Sequence, residues 1–307
     1  MKSLKSFLLV SRANIQLASL PTATLGIILA SRTWSDVFQI PAFLFVLLFF
    51  VVLTYSCHLN CLHDVEVDKK YKKYMSDAVQ SLGILTLKKI MAVEIALACG
   101  LILSLCLIQR EPLYLLGCVG ILCGHIYSAP PLRIKKRGIL SPLPVMLGLY
   151  FLPIPAGGFV VTHHLTVLSL LFGLGYELIM QGITFINTCE DYREDESSGI
   201  QTLAHVLGIR GLLLAAAFFV FAGGLGEILL LIFWKLRGNH SKLFLDFALL
   251  ALGIFFLFSI FSIIKSLFFA SRSQDPYRRS KQIAVLMPKW FISTRYPLLL
   301  ISLLLIK

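Results

Sequence analysis

The stretch of sequence that decides the fold is an acidic motif at the end of a long apolar run. It reads Asn60-Cys61-Leu62-His63-Asp64-Val65-Glu66-Val67-Asp68. A second copy, after another apolar run, reads Asn187-Thr188-Cys189-Glu190-Asp191-Tyr192-Arg193-Glu194-Asp195. Each copy places one asparagine and two aspartates at intervals of four residues. Because residues four apart share one face of a helix, each motif predicts a stripe of one amide and two carboxylates.

The two stripes together predict a site for divalent cations. Carboxylates packed together in a site of low dielectric repel one another unless a cation lies between them. Oxygen ligands of this kind suit Mg²⁺, which proteins usually share with the phosphates of a substrate. The predicted metal ligands are Asn60, Asp64, Asp68, Asp191 and Asp195.

The composition is that of a polytopic membrane protein. The chain has 307 residues, of which 57% are hydrophobic and 14% are charged, and its mean hydropathy is +0.83. A soluble chain carries about 25% charged residues. Nine apolar runs approach the length of about 20 residues that a helix needs to cross a bilayer. They lie near residues 14–32, 39–58, 90–108, 112–129, 139–161, 165–186, 211–234, 243–269 and 288–306. The predicted fold class is therefore an all-α bundle of about nine transmembrane helices.

The basic residues predict how this bundle is oriented. Cytoplasmic loops of membrane proteins carry an excess of lysine and arginine. If the N-terminus is cytoplasmic, the basic clusters at 69–73, 133–137 and 272–281 lie on the cytoplasmic side together with both acidic motifs. We therefore expect a multi-pass membrane protein whose N-terminus and motif loops face the cytoplasm. The net charge of +12 requires no nucleic-acid partner, because basic loops beside anionic membrane lipid account for it.

The order of elements around the motifs is repeated along the chain. Leu82-Gly83-Ile84 follows the first motif and Leu207-Gly208-Ile209 follows the second, and each precedes another apolar run. Internal repeats in membrane proteins are typical of two similar bundles around a central site. We therefore predict one transmembrane domain over residues 1–307, with repeat-like halves at about 1–138 and 139–307, pseudo-duplicated around a central cavity.

Long polar loops flank that cavity in the predicted topology. They span roughly residues 59–89 and 188–210, and loops of this length usually have a function. We expect both to contain short helices that form a cap over the cavity on the cytoplasmic side.

A third motif places basic residues on the same side as the acids. It reads Tyr127-Ser128-Ala129-Pro130-Pro131-Leu132-Arg133-Ile134-Lys135-Lys136-Arg137-Gly138. The two prolines end the preceding helix, so a short cationic segment follows. Metal-binding acids beside a basic loop and a tyrosine hydroxyl fit a diphosphate, whose oxygens the metals bridge while Arg or Lys neutralises the remaining charge. The predicted diphosphate ligands are Asn60, Tyr127, Arg133, Lys135 and Asn187.

These motifs resemble the UbiA superfamily of intramembrane prenyltransferases. The resemblance covers most of the chain. The family's first aspartate-rich motif is similar to Asn60–Asp68, and the family's tyrosine–basic segment is similar to Tyr127–Lys135. The second aspartate-rich motif is similar to Asp191-x-x-x-Asp195-x-x-x-Gly199-x-x-Thr202-Leu203. The chain departs from the family pattern at Cys61, where many members have aspartate. It departs again at Lys69-Lys70-Tyr71-Lys72-Lys73-Tyr74, where many have an Asn-x-Arg-Pro-like segment.

The resemblance implies Mg²⁺-dependent transfer of a prenyl group from a prenyl diphosphate to a lipophilic or aromatic acceptor. It implies two Mg²⁺ ions, one held by the first motif and one by the second. The implied catalytic residues are Asp64, Asp68, Asp191, Asp195, Tyr127 and Lys135. Rings that could stabilise an allylic cation through their faces include Phe185, Tyr150 and Phe151.

Alternative functions share some of these features. A membrane terpene cyclase of the same superfamily ionises the diphosphate and uses the substrate's own double bond as the nucleophile. Transfer of a phosphoribosyl group to a polyprenyl phosphate is a further relative, although nothing in the sequence indicates sugar recognition. A secondary transporter also combines repeated bundles with intramembrane acids. The acids here cluster at one membrane face rather than at the midplane, which favours an enzyme.

Overall fold

A computed structural model describes residues 2–237 and 243–306. The α-helices in chain order are α1 Lys2–Val10, α2 Ala13–Ala18, α3 Leu20–Ala30, α4 Trp34–Val37, α5 Ile40–Tyr71, α6 Lys73–Leu82, α7 Ile84–Gln109, α8 Gly117–Ser128, α9 Leu143–Val145, α10 Pro153–Thr162, α11 Val167–Glu190, α12 Tyr192–Ser197, α13 Leu203–Arg237, α14 Leu243–Arg272, α15 Pro276–Ala284 and α16 Met287–Leu304. Short 3-10 turns occur at Pro112–Leu116, Ile134–Lys136 and Gly138–Leu140, and a π-helical turn occurs at Met146–Phe151. No β-strand occurs in the described ranges, so the predicted all-α class is confirmed.

Seven helical segments of the described chain are long and apolar enough to cross a membrane. They are Ala13–Ala30, Ile40–Tyr71, Ile84–Gln109, Gly138–Thr162, Val167–Glu190, Leu203–Lys235 and Asp246–Arg272. The predicted multi-pass architecture is confirmed, but the count of nine is not. The predicted span at 112–129 forms only the shorter apolar segment Pro112–Ser128. The predicted span at 288–306 corresponds to α16, whose apolar character is interrupted by Lys289, Arg295 and Pro297.

Helix α11 forms the centre of the bundle and packs most extensively against α13. Glycines allow the two backbones to approach closely. A methyl group at Gly182 would lie 2.8 Å from the carbonyl oxygen of Ala216, and one at Gly223 would lie 2.5 Å from that of Gly175. Small residues at helix contacts are typical of membrane bundles, in which close packing drives association. Helix α11 therefore carries the second acidic motif on a closely packed support.

Both Leu-Gly-Ile segments contain a hinge between a short helix and a membrane helix. Gly83 separates α6 from α7 at φ +83° and ψ 130°. Gly208 lies at φ +69° and ψ 158° and divides α13 into a short first turn and a long membrane helix. Only glycine adopts this backbone region at low cost. The repeated sequence thus produces the same local turn in both halves of the chain.

The predicted cap helices are present beside both motifs. The first motif does not end its membrane helix, because α5, which is 32 residues long, runs past Asp68 to Tyr71. After a break at Lys72, α6 runs over the cavity and buries Met75, Ala78 and Val79. The second motif leads from α11 into the short helix α12. The N-terminal helix α1 packs against α6 at the same end of the bundle.

A buried arginine joins three helices in the interior. Arg295 of α16 is 3% exposed, and its Nη1 donates to the carbonyl oxygen of Ala18 at 2.6 Å and to Ser19 Oγ at 3.4 Å. Its Nε donates to the sulfur of Met180 on α11 at 2.9 Å. The Arg295 guanidinium makes α16 less apolar as a membrane span. The same group links α16 to the junction of α2 and α3 and to α11.

The hinge at Gly208 provides a test of the backbone argument. We expect Gly208→Ala to destabilise the protein by about 1–3 kcal/mol, because alanine is strained in this backbone region. The control is Gly253→Ala, inside helix α14, where an added methyl group also meets no atom within 4 Å. That change should be neutral or stabilising by up to about 1 kcal/mol, because alanine favours the helix. Thermal unfolding in detergent measures both, and equal shifts in Tm would contradict the hinge.

Candidate functional site

One cavity of about 1140 Å³ opens among α1, α5, α6, α11 and α12. Its lining includes the asparagine and both aspartates of each acidic motif, Asn60, Asp64, Asp68, Asn187, Asp191 and Asp195. Tyr127 and Lys135 of the third motif line the same cavity. The structure therefore brings together three segments that are far apart in the sequence.

The basic loop is folded onto the first acidic stripe. Arg133 Nη2 donates to Asp64 Oδ1 at 2.8 Å and to the carbonyl oxygen of His63 at 2.9 Å. The ammonium group of Lys135 donates to the other oxygen of Asp64. Burial lowers the pKa of Lys135, although the neighbouring Asp64 opposes that shift. The loop is held on its other side by Gln201, whose carbonyl oxygen accepts a 2.7 Å hydrogen bond from the amide of Gly138.

The second acidic stripe continues across the end of α11. The backbone of Asp191 ends that helix, but the amide of Asp195 still donates to the carbonyl oxygen of Asp191 at 2.9 Å. The four-residue spacing is therefore preserved from α11 into α12. The side-chain amide of Asn187 donates to Asp191 Oδ2 at 3.2 Å. Burial, reinforced by the charge of Asp191, raises the pKa of Asp195 to about 7.

A lysine that the sequence analysis did not select connects the two halves. Lys72 Nζ lies 3.2 Å and 3.3 Å from the two carboxylate oxygens of Asp191. Burial alone would lower the pKa of Lys72, but the Asp191 carboxylate outweighs it and the pKa is raised. The adjacent Tyr71 hydroxyl bonds to the Ser197 hydroxyl of α12. Lys72 and Tyr71 both belong to the segment that departs from the family pattern. The position of this segment directly after the first motif was the signal that could have identified Lys72 as a site residue.

The other candidate residues are distributed around this site. Arg133 contacts Asp64 but is not among the described residues that line the cavity. Phe185 lines the cavity, whereas Phe151 lines a separate apolar pocket of about 180 Å³. Arg12 also lines the cavity, and its Nη2 lies 3.5 Å from Asn60 Oδ1. The site is therefore more cationic than the motifs alone predict.

The donor set fits Mg²⁺ that is shared with a ligand. In the described part of the chain, no group of three or more His, Cys, Asp or Glu side chains is close enough to hold a metal by itself. Mg²⁺ usually takes only one or two carboxylates from the protein and completes its shell with phosphate oxygens and water. Two aspartate stripes on one cavity, with cationic side chains beside them, provide that arrangement for a phosphate-bearing ligand.

Comparison with known families identifies the class of this protein. The UbiA prenyltransferase family matches residues 19–292. The chain therefore belongs to the UbiA prenyltransferase family, and the resemblance of its motifs is confirmed.

Particular relatives agree with this assignment. A 2-acylphloroglucinol 4-prenyltransferase of Humulus lupulus is 26% identical over 217 residues, which cover 66% of this chain and 50% of the relative. A second, chloroplastic enzyme of that name from the same plant is 25% identical over the same length. The chain thus spans about half the length of these curated relatives.

Solved structures share the fold. A structure of digeranylgeranylglyceryl phosphate synthase has a TM-score of 0.66, is 17% identical, and covers 99% of both chains. A UbiA homologue from Archaeoglobus fulgidus, bound to GPP and Mg²⁺, has a TM-score of 0.61 and is 13% identical, and the match covers 95% of this chain and 99% of that chain. The same homologue bound to DMAPP and Mg²⁺ has a TM-score of 0.61.

The contact between Lys72 and Asp191 provides a test of whether this ion pair stabilises the two cap helices, α6 and α12. We expect Lys72→Met to increase amide hydrogen exchange in α6 and α12. The pair is partly exposed, so its loss should cost only about 0.2–1 kcal/mol and raise exchange several-fold at most. Lys73→Met is the matched control, because the neighbouring Lys73 is exposed and begins the same helix. Equal exchange in the two variants would show that the pair does not hold the cap.

Proposed function

We propose that this protein is a Mg²⁺-dependent intramembrane prenyltransferase. It would ionise a prenyl diphosphate and transfer the prenyl group to a lipophilic or aromatic acceptor. The observation that carries this proposal is the single cavity lined by both aspartate stripes together with Lys135 and Tyr127. Membership of the UbiA prenyltransferase family supports it. The named donors of the Archaeoglobus homologue and the named acylphloroglucinol acceptor of the hop relatives support the two substrate classes.

The aspartates would hold the diphosphate through metal ions. Asp64 and Asp68, with Asn60, provide the oxygen ligands on one wall of the cavity. Asp191 and Asp195 of the second motif provide oxygen ligands from another part of the cavity wall. When bound there, Mg²⁺ would stabilise the negative charge that builds on the leaving diphosphate.

The cationic and polar side chains would hold the leaving group directly. Lys135 and Lys72 each contact one motif aspartate, so their ammonium groups would contribute positive charge beside a diphosphate held by those aspartates. Arg133 donates a hydrogen bond to Asp64 and so holds the orientation of that carboxylate. The Tyr127 hydroxyl and the Asn187 amide line the cavity and provide neutral donors. Donors already in place for developing charge lower the barrier because they need no reorganisation during the reaction.

The bond changes follow from this arrangement. The bond between C1 of the prenyl group and the diphosphate oxygen breaks, and the electron pair leaves with the diphosphate. An electron pair of the acceptor then forms the new bond to C1, and the acceptor releases a proton to the diphosphate or to water. The apolar wall limits premature attack by water. Phe185 lines the cavity, and we propose that its aromatic ring stabilises the allylic cation.

We also propose that the motif end of the bundle faces the cytoplasm. The basic segments at 69–73, 133–137 and 272–281 support this orientation, since such residues accumulate on the cytoplasmic side. The water-soluble diphosphate product would then leave through the cap into the cytoplasm.

Substitution of the aspartates tests the assignment of the site. Purified protein is given geranyl, farnesyl or geranylgeranyl diphosphate with Mg²⁺, with and without a crude lipid extract as the acceptor source, and diphosphate release is measured. We expect Asp64→Asn and Asp191→Asn each to reduce release by about 100-fold or more, because each removes charge that holds the metal and the leaving group. Chelation of divalent metal by EDTA should abolish release, and added Mg²⁺ should restore it.

Glu66→Gln is the matched control for this experiment. Glu66 lies on the same helix between Asp64 and Asp68, but it is exposed and is not among the cavity residues. Its substitution should leave the rate close to that of the wild type. If no diphosphate is released from any of the donors, the proposed prenyl transfer is wrong and a secondary transporter is favoured instead. Release without an added acceptor, together with an extractable hydrocarbon, would show terpene cyclisation instead.

A further inference from the structure

A basic face lies outside the cavity, at the end of the bundle that carries the acidic motifs. It consists of exposed cationic side chains on three neighbouring elements, Arg210, Arg272, Arg278, Arg279 and Lys281. The last three belong to α15, and Arg272 ends α14. Arg210 of α13 joins them, because its Nη2 donates to the carbonyl oxygen of Ser273 at 3.3 Å. Since none of these side chains is among the described residues that line the cavity, the proposed diphosphate site does not account for the basic face.

The two sides of α15 have different roles. Ser280, Ile283 and Ala284 are buried, and this side of the helix packs against α11, α13 and α14. By the helical period, Arg278 and Arg279 lie on the opposite side, and both are exposed. The packing of the bundle therefore requires the buried side of α15, whereas it does not require the basic side.

The protein itself neutralises little of the charge on this face. Between residues 272 and 289 the sequence has one acid, Asp275, whose Oδ1 caps α15 by accepting a 3.0 Å hydrogen bond from the amide of Arg278. Arg279 donates to the neutral side chain of Gln282 at 2.7 Å. Within the described ranges, neither arginine forms an ion pair with an acidic side chain. The basic face is therefore available to an external anion.

The basic face borders apolar surface of the membrane-spanning part. The candidate span Asp246–Arg272 ends at Arg272, whose guanidinium lies 4.2 Å from the centre of the Phe268 ring. Phe268 and Phe269 are 38% and 59% exposed, and Val285, just before α16, is 76% exposed. Basic side chains at the end of a span lay their apolar stems along such surface and keep their charge at the polar boundary. The basic face therefore lies where the headgroups of a bilayer begin.

Helix α15 also contacts the helix that continues the second acidic motif. The guanidinium of Arg193 lies 4.4 Å from the centre of the Tyr277 ring, where the ring face attracts a cation. Lys281 Nζ lies 5.0 Å from the same ring centre and 3.9 Å from Glu194 Oε1. Arg193 and Glu194 both belong to α12, which carries the end of the second aspartate stripe. A ligand that holds α15 in place therefore also supports α12 from outside the cavity.

We propose that the basic face binds the headgroups of anionic phospholipids, and that the bound lipid stabilises α12 through Tyr277 and Lys281. The charges are complementary, because arginine donates paired hydrogen bonds to phosphate oxygens. Each basic residue near an anionic bilayer raises the affinity by about fivefold. The partner is a lipid rather than a soluble anion, because the face adjoins the apolar surface that lipid chains cover. Lipid binding does not depend on the proposed prenyl transfer, and it makes the second aspartate stripe sensitive to the charge of the membrane.

The experiment compares nanodiscs of phosphatidylcholine with nanodiscs of equal parts phosphatidylcholine and phosphatidylglycerol. Amide hydrogen exchange is measured in the full chain without a prenyl donor. We expect the anionic lipid to slow exchange in α15 and α12 of the wild type by about threefold or more, because bound headgroups oppose local opening. High salt should reverse this slowing, since it screens exposed charges.

Two double variants locate the effect on the protein surface. Arg278→Gln with Arg279→Gln should remove most of the slowing in both helices, because the α15 part of the basic face then keeps only Lys281. Lys88→Gln with Lys89→Gln is the matched control, since it removes the same charge from an adjacent exposed pair on α7. The control should leave the slowing in α15 and α12 unchanged. Thermal unfolding in detergent shows whether each variant is folded.

A further variant separates lipid binding from its effect on the motif helix. Tyr277→Leu removes the ring on which Arg193 and Lys281 pack. The slowing in α15 should remain in this variant, whereas the slowing in α12 should fall. If exchange in α12 is slowed as much as in the wild type, the proposed link through Tyr277 is wrong.

Three other results would overturn the inference. Equal exchange of the wild type in both nanodiscs would show that the basic face does not bind anionic lipid. Equal loss of slowing in the two double variants would show a general effect of surface charge. The same slowing by inorganic phosphate in phosphatidylcholine nanodiscs would show a site for a soluble anion instead. Because no prenyl donor is present, each of these results leaves the proposed prenyl transfer standing, and a failure to release diphosphate would leave the lipid site standing.

Discussion

The structure depends on how four carboxylates are kept together on one cavity at the end of an apolar bundle. Like charges repel strongly where water is scarce, so each stripe requires positive partners. Asp64 is paired with Arg133 and Lys135, and Asp191 is paired with Lys72. The positions of the basic loop and of the cap follow from these pairs. In the proposed function, the same positive groups would be available to a diphosphate once metal ions bind the aspartates.

The apolar surroundings make a different contribution. In the membrane, the backbone must satisfy its own hydrogen bonds, so the walls of the cavity are helices fixed by close packing. The chain leaves helical geometry near the motif end, at Lys72, Gly83 and Gly208. The result is a cavity with rigid helical walls, covered by the cap helices α6 and α12, which are held by a few polar contacts. This division would suit the proposed reaction, which excludes water while a charged substrate enters and a charged product leaves.

Much of the site could be read from local spacing. The period of the helix placed Asn60, Asp64 and Asp68 on one face, and all three line the cavity. The number of membrane-spanning helices was less accessible, because Lys289 and Arg295 interrupt the apolar run of α16 while the helix itself continues from Met287 to Leu304. The role of Lys72 was missed because its partner Asp191 is 119 residues away.

The sequence by itself determined the membrane class, the two acidic stripes, and the repeated Leu-Gly-Ile segments that follow them. These features depend on the composition and on backbone geometry over a few residues, and both are local. Only the tertiary structure decided which cations face which carboxylates, and which polar groups lie at the bottom of the cavity. Those contacts join α5, α11, α16 and the loop at 133–137, so they depend on the packing of the whole bundle. Close van der Waals packing and hydrogen bonds between the helices fix those contacts collectively, and no short stretch of sequence encodes them.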